Sequence, residues 1–287
     1  MLGKKIGIDL GTSTVLVYVK GEGVVINEPS PAGDNGDRSR TLHHFIAKVQ
    51  GRQRLFKPEI MICVPSGVSS AERRAVTEAA ISAGARQVWL IDEPLAAAIG
   101  AGLPIAELRG NAICDIGGGA TEIAVISLSG MVVAHSIPVG GNRIDEAIAS
   151  HLKRRYDLDL DEKTAERVKI AVGSAVAMKE PLRIEMSDRE VTSNDVAEAI
   201  QEPLRLISAA VRKVLEETPP ELAADIRDRG IVLTGGGAQL PGLDRYLSIH
   251  CGITATIAKD PQTSVVRGTG LALEQFEVLK RSQSFLR

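Results

Sequence analysis

The sequence predicts an α/β fold with a duplicated core, divided into two domains around a cleft, and three observations lead to this prediction. Apolar segments of strand length alternate with helical segments along the 287 residues, which is the order expected of α/β architecture. Two apolar segments end in an aspartate followed by a glycine-rich turn: Asp9 in IGIDLGTST and Asp115 in AICDIGGGAT. A third glycine run, at residues 235–237, follows another apolar segment. Two related halves with a polyphosphate between them account for this order and spacing.

The first half is predicted to open with a three-stranded meander and to continue with alternating helices and strands. Composition predicts a loop over residues 29–40. Ser69 with Glu72 three residues later forms a capping box, which predicts the start of a helix. The predicted strands lie at residues 5–10, 15–20, 24–27, 60–64 and 88–91. The predicted helices lie at residues 41–49, 69–83 and 93–98.

The second half repeats this plan, with an aspartate, a glycine loop and further strands before its helices. Thr164 and Ser193 are the expected helix caps, and a single long helix is expected after Ser193. Gly268-Thr269-Gly270 is expected to begin the last helix. The predicted strands lie at residues 112–115, 121–127, 132–139, 182–186 and 231–234. The predicted helices lie at residues 142–155, 164–172, 195–217, from 220, from 243 and from 268.

Composition limits the possible classes of function. The formal net charge is -2, so no general attraction to nucleic acid is expected. The cysteines, Cys63, Cys114 and Cys251, show no metal-ligand spacing, and buried free thiols in a reducing cytoplasm are the expectation. No signal peptide precedes the first strand, and no apolar run is long enough to span a bilayer. We therefore expect a cytoplasmic protein.

The residues around the two strand-end aspartates suit the binding of a polyphosphate. A carboxylate repels phosphate, so Asp9 and Asp115 are expected to hold Mg2+ or its water shell. Glycines let backbone amides approach phosphate oxygens, and the hydroxyls of Thr12, Ser13 and Thr14 add donors. Each loop alone could instead be a tight β-turn with an acidic cap. The two loops together with the run at 235–237 favour a phosphate site, and the sequence lacks the motifs of P-loop and dinucleotide-binding proteins.

The chain resembles the actin, sugar kinase and seventy-kilodalton chaperone ATPase superfamily, and within it the MreB-like bacterial actins. The resemblance covers nearly the whole chain and rests on IGIDLGTSTVLVYVKGEGVVINEPS, ICVPSGVSSAERRAV, LIDEPLAAAIGAGLP, CDIGGGATEIAVISL, TAERVKIAVGSA and ETPPELAADIRDRGIVLTGGGAQLPGLD. The phosphate loops are shared across the superfamily, whereas DEPLAAAIG and TPPELAADI are more specific to MreB-like proteins. The resemblance implies a duplicated actin-like (ribonuclease H-like) ATPase core, with ATP and Mg2+ between two domains.

The resemblance also assigns expected roles to individual residues. Asp9 and Asp115 are implied as metal-binding and catalytic, and Glu93 as the residue that positions the attacking water. Glu93 could instead be an acid favoured by the helix dipole, and Glu166 with Lys169 could be a solvated pair on a helix. The implied nucleotide-binding residues are Gly11, Thr12, Ser13, Thr14, Gly117, Gly118, Gly119, Ala120, Glu166, Lys169, Gly235, Gly236, Gly237 and Ala238.

Two departures from the family pattern modify these expectations. Ala120 stands where MreB-like proteins usually have a threonine implicated in hydrolysis, so ATP binding is expected to persist while hydrolysis is slow. The expected domain I comprises residues 1–100 and 271–287, with subdomain IB reduced to a loop and short helix at 31–54. Domain II is expected at 101–270, with a trimmed subdomain IIB at about 142–202.

The expected function is that of a filament-forming, ATP-binding, MreB-like cytoskeletal protein involved in cell shape. Leu55 and Phe56 occupy the position of a membrane-touching tip, beside basic residues, so contact with the anionic inner face of the membrane is expected. Phe56 could instead pack under the following strand. Expected partners are other copies of the chain and membrane morphogenesis proteins. The alternatives are a non-polymerising ATP-dependent adaptor and a small-metabolite kinase of the same superfamily.

Overall fold

The structure, a computed structural model, describes residues 3–31, 38–50, 56–187 and 189–275, and its framework is a pair of five-stranded mixed sheets. We call the first sheet with its helices lobe I and the second lobe II. The elements of lobe I in chain order are β1 (Lys5–Leu10), β2 (Thr14–Val19), β3 (Gly23–Pro29), α1 (Arg38–Gln50), β4 (Glu59–Val64), α2 (Ser70–Ser82), β5 (Gln87–Asp92) and α3 (Glu93–Gly100).

Lobe II contains the remaining strands and most of the remaining helices. Its elements are β6 (Asn111–Ile116), β7 (Thr121–Ser127), β8 (Gly130–Ile137), α4 (Gly141–Tyr156), α5 (Glu162–Val172), the hairpin β9 (Arg183–Met186) and β10 (Arg189–Thr192), α6 (Ser193–Ala199), α7 (Gln201–Glu217), α8 (Pro220–Arg229), β11 (Ile231–Thr234), α9 (Leu243–Cys251) and β12 (Ala255–Ile257). The last described helix, α10 (Ser264–Glu274), returns to lobe I.

The two sheets have the same topology, which confirms the predicted duplication. The strand order is β3-β2-β1-β4-β5 in lobe I and β8-β7-β6-β11-β12 in lobe II. In each sheet the first three strands are antiparallel neighbours, and the last two run parallel to the central strand. Strand β1 is therefore equivalent to β6, and Asp9 is equivalent to Asp115. Each aspartate is the penultimate residue of its strand.

Helices α3 and α10 pack between the two sheets and share a core with both. Ala96, Ala97 and Ala98 of α3 lie in one buried cluster with Met61 of β4 and Ile113 of β6. Small residues on α3 let the two helices approach closely. The remaining two apolar clusters lie within the separate lobes.

The crossing of α3 and α10 explains why the last helix begins earlier than expected. Helix α10 starts at Ser264, so Gly268 and Gly270 lie inside it. A methyl group on Gly268 would overlap the carbonyl of Ala96, and one on Gly100 would overlap the carbonyl of Ser264. The glycines are thus required by close helix packing, and their low helix propensity is overridden by tertiary contact.

Two of the expected helix starts in lobe II were wrong, although the helices form. Asp161, not Thr164, caps α5, because its carboxylate accepts the Thr164 amide at 2.8 Å. Thr192, not Ser193, caps α6 through a capping box with Asp195. The Ser193 hydroxyl instead bonds the backbone of Leu182.

Three further details of lobe II differ from the prediction. The expected long helix is divided into α6 and α7 at Ile200, whose ψ is 7°. Strands β10 and β12 form without having been predicted, and both are short, with four and three residues. Short strands depend on pairing with neighbours, which a local apolar pattern does not reveal.

The Ser69–Glu72 capping box is confirmed at the start of α2. Between β3 and β4 the described residues form only helix α1, whose Leu42, Phe45 and Ile46 are buried against lobe I. Across the described ranges, no helix combines the length and apolar character that crossing a bilayer requires.

Candidate functional site

Asp9 and Asp115 are buried carboxylates whose charges interact across the two lobes. Burial raises the pKa of Asp9 to about 7, and the nearby charge of Asp115 adds to this rise, while a hydrogen bond from Cys63 opposes it. Burial likewise raises the pKa of Asp115 to about 6, against a hydrogen bond from the Thr234 hydroxyl at 2.8 Å. Desolvation therefore disfavours both charged forms. A divalent cation at this place would stabilise both carboxylates, so the residues fit Mg2+.

The first and second glycine loops meet face to face, as the sequence predicts for a phosphate clasp. The Ser13 hydroxyl donates to the Asn142 side-chain oxygen at 3.2 Å, which joins lobe I to the start of α4. A methyl group on Gly118 would overlap the Ser13 side chain, and one on Gly119 would lie 2.9 Å from Thr12 Oγ1. A side chain at either glycine would require the facing Ser13 or Thr12 side chain to move.

Neighbouring residues hold both loops in place. Ser30 fixes the first loop: its amide donates to the Ser13 carbonyl at 2.9 Å and its hydroxyl to the Gly11 carbonyl at 2.6 Å. The amides of Gly141 and Asn142, at the start of α4, each donate at 2.9 Å to carbonyls of the second loop. A helix N-terminus beside this loop favours anions there.

The third glycine loop packs against the end of β6, directly after Asp115. Gly235 has a φ of 83°, and a methyl group on it would overlap the Ile116 carbonyl. Gly236 has open space on the side where a Cβ would stand, whereas Gly237 lies against the Ile116 side chain. Ala238 is fully buried in the core of lobe II. The loop thus sits at the same sheet edge as the second aspartate.

Lys169 and Glu166 lie on α5 beside the glycine turn that precedes α4. The Lys169 ammonium pairs with Asp145 at 2.8 Å and donates to the Gly141 carbonyl at 3.4 Å. Glu166 is exposed. Burial raises the pKa of Asp145 to about 6, opposed by Lys169. Asp145 Oδ1 is buried and has no hydrogen-bond partner among the described residues. Asp145 thus orients Lys169, a role that its sequence position did not reveal.

Glu93 is the first residue of α3, directly after β5, and lies close to Asp9. Its carboxylate, a carboxylate oxygen of Asp9 and the thiol of Cys63 all lie within 4.8 Å of one another. Burial raises the pKa of the Cys63 thiol well above its ordinary value, and the charges of Asp9 and Glu93 add to this rise. The thiol donates to Asp9 at 3.3 Å.

Ala120 lies just before β7, and Thr121 is the first residue of that strand. Thr121 is fully buried, and its hydroxyl donates to the Val139 carbonyl at 2.6 Å. Ala120 lies in the loop, where its carbonyl accepts the Gly117 amide at 2.9 Å. Thr121 therefore cannot supply the hydroxyl that is missing at position 120.

Glu122 is a cleft residue that sequence reasoning missed. It lies opposite Asp115 on the neighbouring strand, and its carboxylate accepts the amide of Ser66 at 3.0 Å and the hydroxyl at 3.1 Å. Burial raises the pKa of Glu122 to about 7, opposed mainly by these bonds. Ser66 belongs to lobe I, so the contact joins the lobes. A charged residue inside the largely apolar strand TEIAVIS was the signal available.

Phe56 is 48% exposed, which does not support the alternative that it packs under the following strand. Leu55 lies outside the described residues, as do the basic residues expected beside it at 52 and 54. The exposed ring of Phe56 and the following Lys57, also exposed, are therefore the part of the expected membrane tip that the structure describes.

Comparison with known proteins identifies the family of this chain. The family model described as MreB/Mbl protein matches residues 3–39 and 33–281. The cell shape-determining protein MreB of Escherichia coli K12 is 42% identical over 331 aligned positions, covering 97% of this chain and 95% of the relative. The cell shape-determining protein Mbl of Bacillus subtilis 168 is 37% identical, covering 98% and 99%.

Solved structures show the same fold. MreB5 of Spiroplasma citri bound to ADP superposes with a TM-score of 0.88 at 29% identity, covering 98% of this chain and 99% of that one. The MamK double helical filament has a TM-score of 0.78 at 21% identity, covering 94% of this chain and 98% of that one, which shows likeness of fold alone. The two-lobed α/β architecture is that of the actin-like ATPases, and the chain belongs to the MreB/Mbl family.

Proposed function

We propose that this chain binds ATP with Mg2+ between its lobes and assembles into filaments that act in determining cell shape. The observation that carries the proposal is the pairing of Asp9 and Asp115, equivalent residues of duplicated sheets, at the meeting of two glycine loops. Structures of MreB5, which has the same fold, were solved with ADP and with AMPPNP. The relatives at 42% and 37% identity are named as cell shape-determining proteins.

Different residues of the cleft are proposed to bind the cation, the phosphates and the adenosine. Asp9 and Asp115 would hold Mg2+, which would supply positive charge to offset that of the phosphates. Loop amides and the hydroxyls of Thr12, Ser13 and Thr14 would bind phosphate oxygens. Lys169, held by Asp145, and Glu166 would bind the ribose and base, and the loop at 235–237 would contact the adenosine.

Hydrolysis is slow in this proposal, because position 120 supplies no hydroxyl to position water. Glu93 of lobe I lies near Asp9, and Glu122 of lobe II lies opposite Asp115, where it accepts hydrogen bonds from Ser66. A base with a pKa near 7, as Glu122 has, is suited to accept a proton at neutral pH. Ala120 contributes no hydroxyl, and Thr121 is committed to Val139.

Contacts between the lobes connect nucleotide binding to assembly. Ser66 with Glu122 and Ser13 with Asn142 already join the lobes across the cleft. A nucleotide held by both loops stabilises the same closed arrangement, which favours the conformation that polymerises. Assembly partners are other copies of the chain, as in the filament of the MamK fold relative.

We infer that subdomain IB is reduced, and this inference supports a second candidate function. The two segments matched by the family model overlap at residues 33–39, and the alignment with the Escherichia coli relative spans 331 positions, more than the 287 residues of this chain. A protein with a reduced longitudinal contact surface would act as an ATP-dependent adaptor without polymerising.

Electron microscopy and sedimentation with ATP and Mg2+ test the filament proposal. We expect the wild-type protein to form sedimenting filaments. Asp115→Asn should bind ATP at least about tenfold more weakly, because the cation loses a charged ligand, and should not assemble. Asp157→Asn is the control, since Asp157 is an exposed residue at the end of α4. Tight ATP binding without filaments in the wild type would favour the adaptor.

Phosphate release tests the role assigned to Ala120. We expect Ala120→Thr to hydrolyse ATP about tenfold faster or more, because the new hydroxyl positions water. Ala120→Val is the matched control, having the shape of threonine without its hydroxyl, and should leave the rate unchanged. Equal rates of phosphate release for all three proteins would show that residue 120 does not limit hydrolysis.

We also propose that the chain lies at the inner face of the membrane, with Leu55 and Phe56 entering the lipid surface. An exposed aromatic ring next to a lysine suits the interface of an anionic bilayer. Replacing both residues by serine should reduce sedimentation with anionic liposomes several-fold and leave ATP binding intact. Ile81→Ser, which alters another exposed apolar residue of lobe I, is the control. Unchanged liposome binding by the double variant would refute the proposal.

A further inference from the structure

Lobe I contains a cluster of three metal-ligating side chains that the nucleotide function does not fully use. Asp9, Cys63 and Glu93 each direct one ligand atom into a common space, and these atoms lie within 4.8 Å of one another. The cluster combines a thiol with two carboxylates. Oxygen ligands alone suit Mg2+, whereas a sulfur ligand favours softer cations such as Zn2+.

One distance of the cluster already matches that of a zinc site. Zn–S bonds of about 2.3 Å and Zn–O bonds of about 2.1 Å place neighbouring tetrahedral ligands about 3.5 Å apart. Cys63 Sγ and Asp9 Oδ1 are already 3.3 Å apart. Closing the remaining spacing requires a small movement of Glu93, whose carboxylate is at the end of a side chain with rotatable bonds. Three protein ligands leave the fourth position of a tetrahedral zinc ion for water or a phosphate oxygen.

The backbone fixes the three residues on neighbouring elements of a single lobe. Strands β1 and β4 pair in parallel, with Ile8 opposite Ile62, so Asp9 and Cys63 follow side by side. Glu93 starts α3 directly after β5, the next strand of the sheet. Cys63 is 4% exposed and Asp9 is 9% exposed, so bulk water competes little for the cation. All three side chains belong to lobe I, so their arrangement does not depend on a bound nucleotide.

We propose that Asp9, Cys63 and Glu93 bind a thiophilic divalent cation, with Zn2+ as the representative case, in the nucleotide-free protein. Formation of the Sγ–metal bond displaces the thiol proton, which passes to solvent, and the oxidation states of sulfur and metal do not change. Asp9 also belongs to the proposed Mg2+–ATP site. The soft cation therefore competes with Mg2+–ATP for the cleft and draws Glu93 away from water positioning.

Titration of nucleotide-free protein with Cd2+ tests this inference directly. Cadmium is a spectroscopic substitute for Zn2+ because its bond to a thiolate gives an ultraviolet charge-transfer band. We expect the wild-type band to saturate at one equivalent and to disappear when excess Zn2+ is added. Cys63→Ser should lose the band. Glu93→Gln, which keeps the thiol, should show it with affinity lowered about tenfold or more.

Matched cysteine variants and a separate nucleotide assay complete the experiment. Cys251→Ser is the control, because Cys251 is half-buried and its thiol lies against the Ser208 carbonyl, 3.7 Å away; it should retain the band. A band that survives Cys63→Ser, or equal cadmium affinity in wild type and Glu93→Gln, would overturn the inference. Mg2+–ATP binding is measured independently on the same proteins, so loss of nucleotide binding cannot be mistaken for loss of the soft-cation site.

Discussion

Two buried carboxylates, Asp9 and Asp115, face one cleft, and their burial is the constraint on which the site depends. Each has lost most of its contact with water, and each has a pKa raised by burial. Single donors, from Cys63 and Thr234, offset part of this cost. Such a pair is costly when both members are charged and becomes favourable when a cation lies between them. This arrangement is the physical reason for proposing a cation between the two carboxylates.

The duplicated topology explains why the carboxylates meet. Each sheet places its aspartate at the same point of its central strand, followed by a glycine turn. Helices α3 and α10 then bring the sheets together, and their approach depends on Gly100 and Gly268. This packing contact lies in the core that both lobes share. Hydrogen bonds from Ser66 to Glu122 and from Ser13 to Asn142 join the lobes across the cleft.

The sequence was informative where the signal is local. Strand-end aspartates, glycine turns and the Ser69–Glu72 box are local patterns, and the structure contains all of them. Glu122 and Asp145 escaped notice because their partners, Ser66 and Lys169, are distant in sequence. The start of α10 was also misplaced because of a contact distant in sequence. Glycines that suggest a helix boundary are needed inside this tightly packed helix. Cys63 looked like an ordinary buried thiol because the spacing to its carboxylate neighbours exists only in the fold.

Calorimetry of Mg2+–ATP binding in buffers of different ionisation enthalpy tests the central claim, that the buried carboxylate pair is the cation site. With pKa values of about 7 for Asp9 and about 6 for Asp115, the metal-free pair holds protons below neutral pH, and a bound cation favours the charged forms. The same measurement on Glu122→Gln separates out the protons released by Glu122, whose pKa is also raised. The account predicts release of about one proton at about pH 6.5 and almost none at about pH 8.5. Proton release that is absent at both pH values, or proton uptake at the lower one, would contradict it.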